Sequence, residues 1–239
     1  MNTLAALVLA HLIGDFLLQP KSWVRAKEDR KGAAWQLYVH VLLHTALTFA
    51  ALAWTESPAL WPLALLLAGS HFLIDLIKLY GKQERYSTAW FFGDQGAHLL
   101  TIALVWVYSI EQNPAILPGL LSGNTIIYVT TGYFLIQPAS IIMENVMRPW
   151  SEALATENAS SLPNAGKIIG VLERVLVFGF IASGHFEAVG FLLAAKSVFR
   201  FGDLSQAGQR KLTEYMLIGT LISFGLAIAI GMAVTSLLA

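Results

Sequence analysis

Long apolar stretches alternate with short polar ones along the whole chain. The apolar stretches lack the every-second-residue alternation of membrane β-strands, and only α-helices or closed barrels satisfy their backbone hydrogen bonds in hydrocarbon. The predicted fold class is therefore all-α: a polytopic transmembrane helical bundle of about eight helices, in two four-helix halves. The pattern places these helices at residues 2–19, 34–55, 59–80, 89–110, 124–147, 165–183, 186–201 and 212–237.

The amino-acid composition also indicates a membrane protein. Of the 239 residues, 56% are hydrophobic and 13% are charged, whereas a soluble domain carries about 25% charged residues. This difference excludes an ordinary water-soluble enzyme. The chain has no cysteine, so any metal must be held by histidine and carboxylate side chains. Its formal net charge is zero, which gives no indication of nucleic acid as a partner.

The lysines and arginines indicate an orientation in the membrane. They lie within every second predicted loop or at the helix ends that flank it. The other loops, near 56–58, 111–123 and 184–187, contain glutamate and no basic residue. Cytoplasmic loops collect basic residues, so an eight-crossing topology puts all fifteen of them on the cytoplasmic side. Both termini are then predicted on the opposite side of the membrane.

One polar stretch, WSEALATENASSLP at 150–163, divides the chain. It is typical of a cytoplasmic linker or a surface helix. We therefore expect an N-terminal part of four to five helices at 1–148, a linker at 149–163 and a C-terminal three-helix part at 164–239.

Histidines and aspartates form four pairs, one on each of the first four predicted helices. The two residues of each pair are four positions apart, so they share one face of a helix. That spacing suits two ligands of one metal ion, and five of the six histidines follow it. The pairs are His11 and Asp15, His40 and His44, His71 and Asp75, and Asp94 and His98.

All four pairs are predicted in the cytoplasmic third of the membrane. The first and third helices run inward and carry their pairs near their ends, whereas the second and fourth run outward and carry theirs near their beginnings. An aspartate costs roughly 2.5–3.5 kcal/mol at the bilayer centre, so three of them need a positive partner. Inward-facing carboxylates and imidazoles hold one or two metal ions in helical bundles. We expect a divalent metal, with Zn or Mn favoured and Fe left open.

Two other interpretations of these polar residues stay open. The same pairs would also suit a buried hydrogen-bond network or a proton relay without metal.

His185 stands alone near an outer loop and is predicted to be an interfacial residue, not a ligand.

The second half of the chain carries a different set of polar residues. Lys196 and Arg200 are four positions apart and could grip an anion such as phosphate. The alternative is that they anchor helix ends at the membrane surface or pair with neighbouring glutamates. The candidate substrate-binding residues are Glu173, Arg174, Lys196, Arg200 and Glu214.

Several of these stretches resemble a family of bacterial inner-membrane proteins catalogued as a domain of unknown function. The resemblance rests on LAHLIGDFLLQPK, YVHVLLH, SHFLIDLIKLYGK and GDQGAHLL, and on the later GKIIGVLERVLVF, AAKSVFRFGD and EYMLIGTLISF. It implies a multi-pass protein of the bacterial inner (cytoplasmic) membrane, in which the orientation predicted from the basic residues puts both termini on the periplasmic side. The HxxxD pattern at His11 and at His71 is also distantly similar to membrane-bound metal-dependent hydrolases, a likeness that implies hydrolysis of a lipid or phosphoester.

The prediction is an integral membrane metal-dependent hydrolase with a cytoplasm-facing mono- or di-metal centre. Its substrate would be a phosphoester or a lipid-linked anion. The candidate catalytic residues are Asp15, Asp75 and Asp94, which could move protons, and Lys78, which could position the anion. A metal-ion or proton-coupled transporter and a structural metalloprotein remain as alternatives. The expected partners are the lipid bilayer and a small anionic or lipid substrate, and a homo-oligomer is left open.

Overall fold

The computed structural model describes residues 2–56, 60–112, 124–154, 164–200 and 210–239. Within these ranges every regular element is helical, which confirms the all-α class. Short 3-10 turns at Lys31–Ala33 and Glu84–Tyr86 join some of the helices. The α-helices are α1 (Asn2–Phe16), α2 (Lys21–Arg30), α3 (Trp35–Thr55), α4 (Trp61–Gly81), α5 (Ser87–Gln112), α6 (Asn124–Ile136), α7 (Pro138–Leu154), α8 (Ala165–Ala182), α9 (Phe186–Arg200) and α10 (Arg210–Leu238).

The helix positions agree with the sequence prediction at most boundaries, with two additions. The segment predicted as one helix at 124–147 is interrupted at Gln137, because Pro138 has no backbone N–H to continue the hydrogen-bond ladder. The sequence predicts a loop for the basic segment that follows the first helix, but this segment forms helix α2. Pro20 precedes its first turn, where a missing N–H costs no helical hydrogen bond.

Four stretches are long and apolar enough to span a membrane, which is consistent with a membrane protein. They are α3, α4, Asn124–Glu152 and Lys211–Leu238. A fifth candidate combines α1 with Lys21–Ala33, two segments that meet at an angle of 78°.

The eight predicted crossings are thus not confirmed, and the reasons lie in the remaining helices. Helix α9 has 15 residues, fewer than the roughly 20 that a span needs. Helix α8 carries Lys167, Glu173 and Arg174. The polar stretch around Asp94 and His98 lowers the hydropathy of α5.

The chain divides into two compact units, Met1–Thr130 and Thr131–Ala239. The boundary falls inside α6, upstream of the polar stretch at 149–163, much of which lies outside the described residues. In the first unit α1 packs on α3, α3 on α4, α4 on α5 and α5 on α1, so the four helices surround a common interior. Helix α2 contacts α3, and the turn that follows it contacts α4.

The second unit has an apolar core of its own. Leu135, Val177, Ile181, Phe224 and Ala227 are among its buried residues. Helix α8 packs against α10, α9 and α7, and α7 also contacts α10.

Candidate metal centre

The four helices of the first unit bring together all eight residues of the predicted pairs. Each pair faces the common interior from one helix, because i and i+4 share a face and neighbouring helices run in opposite directions. Seven of the eight residues are buried, and the Asp15 side chain is 11% exposed. The convergence that the sequence predicted is therefore present in the fold.

Asp15 lies at the middle of the cluster. Its Oδ1 atom is 3.0 Å from His44 Nε2, 3.2 Å from His40 Nε2 and 3.7 Å from His71 Nε2. Its Oδ2 atom is 3.8 Å from His11 Nε2. Four imidazoles from three helices thus turn the same ring nitrogen toward one carboxylate.

The remaining residues extend the cluster on either side. His71 Nε2 lies 3.1 Å from His40 Nε2, and His98 Nε2 lies 3.5 Å from Asp94 Oδ1 and 3.9 Å from Asp75 Oδ1. Three groups have ligand atoms close enough together to hold an ion: His11, Asp15, His44 and His71; His40, His71 and Asp75; and Asp15, Asp94 and His98.

The hydrogen bonding of this cluster is incomplete among the described residues. The buried atoms Asp94 Oδ1 and His98 Nε2 lie 3.5 Å apart without forming a hydrogen bond, and neither has another partner there. His40 Nε2 and His71 Nε2 are in short contact, so only one of these nitrogens can carry a proton and the other must offer its lone pair. Buried polar atoms are normally satisfied, and a cation would accept these lone pairs. The nitrogen and oxygen donor set fits Zn, Mn or Fe.

Gly14 permits the close approach of α1 and α3. A Cβ atom added at Gly14 would overlap the His44 imidazole, the ring that contacts the neighbouring Asp15. Position 14 therefore has no room for a side chain while His44 keeps its place.

Two lysines neutralise part of the negative charge. Lys27 Nζ donates to Asp75 Oδ2 at 2.7 Å, and Lys78 Nζ donates to Asp94 Oδ2 at 2.6 Å. The sequence made Lys78 a candidate catalytic residue, whereas Lys27 was only one of several basic residues that follow the first helix. It is 5% exposed, and nothing in the sequence separates it from its neighbours Arg25 and Lys31.

Gln95 is a second residue that the sequence analysis did not single out. Its Nε2 atom donates to Asp15 Oδ2 at 3.0 Å and to Asp94 Oδ2 at 3.2 Å. The sequence feature that could have identified Gln95 is its position in the polar stretch GDQGAH, beside Asp94.

Two cavities border the cluster at opposite ends. One, the polar cavity, has a volume of about 310 Å³ and lies at the ends of α1 and α4 beside α2. Its lining consists of Asp15, Gln19, Val24, Lys27, Glu28, Asp29, Lys31, Asp75, Lys78, Leu79 and Lys82. The other has a volume of only about 20 Å³ and is lined by His11, His44, His71, His98 and mainly apolar residues.

Three of the candidate substrate-binding residues of the second half, Glu173, Arg174 and Lys196, have partners within their own unit. Lys196 Nζ donates to Glu173 Oε2 at 2.5 Å, which is the pairing considered as the alternative. Glu214 is exposed near the start of α10, and Arg200 ends α9 with its side chain outside the described part of the structure. Their role toward a substrate stays a prediction.

Arg174 is buried and holds the broken helix together. Its guanidinium donates to Leu135 O at 2.9 Å, Ser140 Oγ at 2.7 Å and Ser223 Oγ at 3.2 Å. These contacts are those of a structural arginine at the interruption between α6 and α7.

His185 lies apart from these buried groups. It is exposed, and its Nδ1 atom lies 3.4 Å from Glu187 Oε1. That His185 does not bind metal stays a prediction.

The comparisons with known proteins identify a family and no activity. No curated protein and no solved structure matches the chain. The family model described as "Protein of unknown function (DUF3307)" matches residues 3–122, which is half of the chain. The matched range includes α1 to α5 and all eight residues of the cluster, whereas the later stretches that carried the resemblance lie outside it. The chain therefore belongs to the DUF3307 family of proteins of unknown function.

Proposed function

We propose that this chain is a metal-dependent hydrolase of the membrane, which cleaves a phosphoester bond in an anionic substrate. The observation that carries the proposal is the convergence of eight histidines and aspartates at the inner end of a polar cavity. In the orientation that the basic residues predict, this cavity faces the cytoplasm. The distant likeness to membrane-bound hydrolases points to the same reaction class.

The charges of the cluster favour one divalent ion over two. Three carboxylates surrounded by neutral imidazoles carry three negative charges, of which Lys27 and Lys78 offset two. One divalent ion would leave a single positive charge, whereas two would leave three in a largely buried site. The ligand types favour Zn or Mn, and Fe also accepts such a set.

The position of the carboxylates suits hydrolysis. The histidines and aspartates of the cluster would hold a divalent ion, and its chemistry would be to polarise the scissile bond and to make water more acidic. Asp15 and Asp75 line the polar cavity, and a carboxylate oxygen of theirs that does not bind the ion could accept the proton that water releases. Hydrolysis then forms a bond from the hydroxyl group of water to phosphorus, breaks the bond from phosphorus to the leaving oxygen and transfers the proton to that oxygen. Lys27 and Lys78 would hold Asp75 and Asp94 in place during this exchange.

The two cavities favour hydrolysis over transport. A transporter needs a path across the membrane, but the cavity on the other side of the histidines has a volume of only about 20 Å³. That volume accommodates about one water molecule. Leu7, Leu67 and Ile102 line it together with Thr48 and Thr101, which favours access to the cluster from the polar cavity. The polar cavity on the carboxylate side also argues against a purely structural ion, since structural sites are closed.

Elemental analysis of the detergent-purified protein tests the proposal. We expect stoichiometric Zn, Mn or Fe in the wild type and a marked loss in a His40→Ala/His44→Ala double variant. His71→Ala and Asp75→Ala should also lose metal, whereas the exposed His185→Ala should not. Equal metal content in all of these proteins would contradict the site. Metal-loaded wild type that hydrolyses no phosphoester in a substrate screen would contradict the reaction.

A further inference from the structure

We propose that the polar cavity binds the phosphoryl group of the substrate through Lys31 and Lys82. This inference rests on the proposed function, because it requires a divalent ion in the neighbouring cluster. It assigns the anion to the first unit and not to the basic residues of the second half.

The size and position of the cavity suit a small ligand beside the cluster. Its volume of about 310 Å³ lies at the lower end of the roughly 300–1,000 Å³ that is usual for ligand pockets. Asp15 and Asp75 belong both to the cavity and to the cluster. A ligand in the cavity is therefore next to any ion that these carboxylates hold.

The lining is almost entirely polar. Val24 and Leu79 are its only apolar members among the described residues. An acyl chain would bury little apolar surface here, and it would desolvate charged groups at a cost. The cavity thus suits a hydrophilic group, and any lipid tail of the substrate would have to stay outside it.

The charge of the lining selects an anion once an ion is present. Four lysines and four carboxylates line the cavity, and Asp94 pairs with Lys78 from outside the lining, so these groups together carry one negative charge. A divalent ion at Asp15 and Asp75 makes the site positive by one charge. An anionic phosphoryl group offsets this charge, which an uncharged or cationic ligand would not do.

Lys31 and Lys82 are the lysines best placed to contact this anion. Lys27 and Lys78 are engaged with the aspartates of the cluster. Lys31 Nζ donates to the carbonyl oxygen of Leu79 at 2.5 Å. Lys82 Nζ donates to Glu28 Oε1 at 2.6 Å. An ammonium group has three donors, so both lysines can keep these contacts and still donate to an anion.

Calorimetric titration of the Mn²⁺-loaded protein tests the inference. Orthophosphate and phosphatidate in mixed micelles are the two probes, and they separate a soluble phosphoryl group from a lipid headgroup. We expect at least one probe to bind the wild type and to bind a Lys31→Met/Lys82→Met variant at least about tenfold more weakly, as the loss of two charge-assisted hydrogen bonds implies. Metal-free wild type should bind neither probe measurably.

The matched control is Lys21→Met/Arg25→Met, which removes the same two charges from exposed positions of α2 outside the cavity. It should bind the probe like the wild type. Equal affinity in the double variant and this control would overturn the inference, as would the absence of binding by either probe to loaded wild type. Metal content and thermal unfolding are measured on the same samples. Protein without metal contradicts the proposed function itself, whereas loaded, folded protein without lysine-dependent binding contradicts the inference alone.

Discussion

Replacing Gly14 with alanine gives a sharp test of how the cluster is built. A Cβ atom at this position would lie 2.9 Å from His44 Cδ2, with Nε2 and Cε1 of the same ring closer still. Carbon atoms in contact are about 3.5–4.0 Å apart, so the imidazole must move by more than about half an ångström. His44 is stacked on His71 with 3.8 Å between ring centroids and contacts Asp15 at 3.0 Å. Its displacement therefore disturbs two other ligand candidates.

The expected size of the effect follows from this geometry. Alanine in place of glycine favours a helix by about 1 kcal/mol, whereas overpacking costs typically about 1–3 kcal/mol. We therefore expect Gly14→Ala to lower the free energy of unfolding by up to about 2 kcal/mol. Substitutions that disturb only the partners of metal ligands already reduce affinity about 10–100-fold. Displacement of His44 itself should reduce metal affinity by at least that factor.

The assay is metal retention across a series of chelator-buffered concentrations, together with thermal unfolding of the same samples. Gly96→Ala is the matched control, since Gly96 lies in α5 between Asp94 and His98 and has no heavy atom within 4 Å of an added Cβ. This control should retain the metal of the wild type and unfold at the same temperature or slightly higher. If Gly14→Ala binds metal with wild-type affinity, His44 is not held against Asp15 as described.

Three further predictions concern a buried ion pair, the buried Arg174 and the metal. Lys27→Met should destabilise the metal-free protein by about 3–5 kcal/mol, because it leaves the buried Asp75 carboxylate without its cation, and unfolding of the apo protein with denaturant measures this loss. Arg174→Lys should lower the unfolding temperature but leave metal content unchanged, since its hydrogen-bond partners Leu135, Ser140 and Ser223 all lie in the second unit. A parallel loss of metal would contradict this assignment. Chelation of the wild type should lower its unfolding temperature, and re-addition at about 100 times the Kd should restore about 2.7 kcal/mol. Identical unfolding with and without chelator would exclude an ion that binds the folded state.

The sequence by itself determined the helices and the membership of the cluster. Apolar periodicity and length placed the main helices within a few residues, since both properties are local. The spacing of four put His71 and Asp75 on one face of α4, and alternate helix directions put all four pairs at one end of the first unit. Both inferences need only the helical repeat and short connections between neighbouring helices.

Tertiary structure decided which charges pair and where the cavity lies. Lys27 and Asp75 are 48 positions apart, and their contact depends on the 78° turn between α1 and α2, which brings a basic segment back over the end of the bundle. The positive-inside pattern accounts for basic residues as a group and does not distinguish one lysine from its neighbours. Membership of the cluster follows from a local repeat, whereas its charge balance and its access to solvent follow from long-range packing that no local pattern encodes.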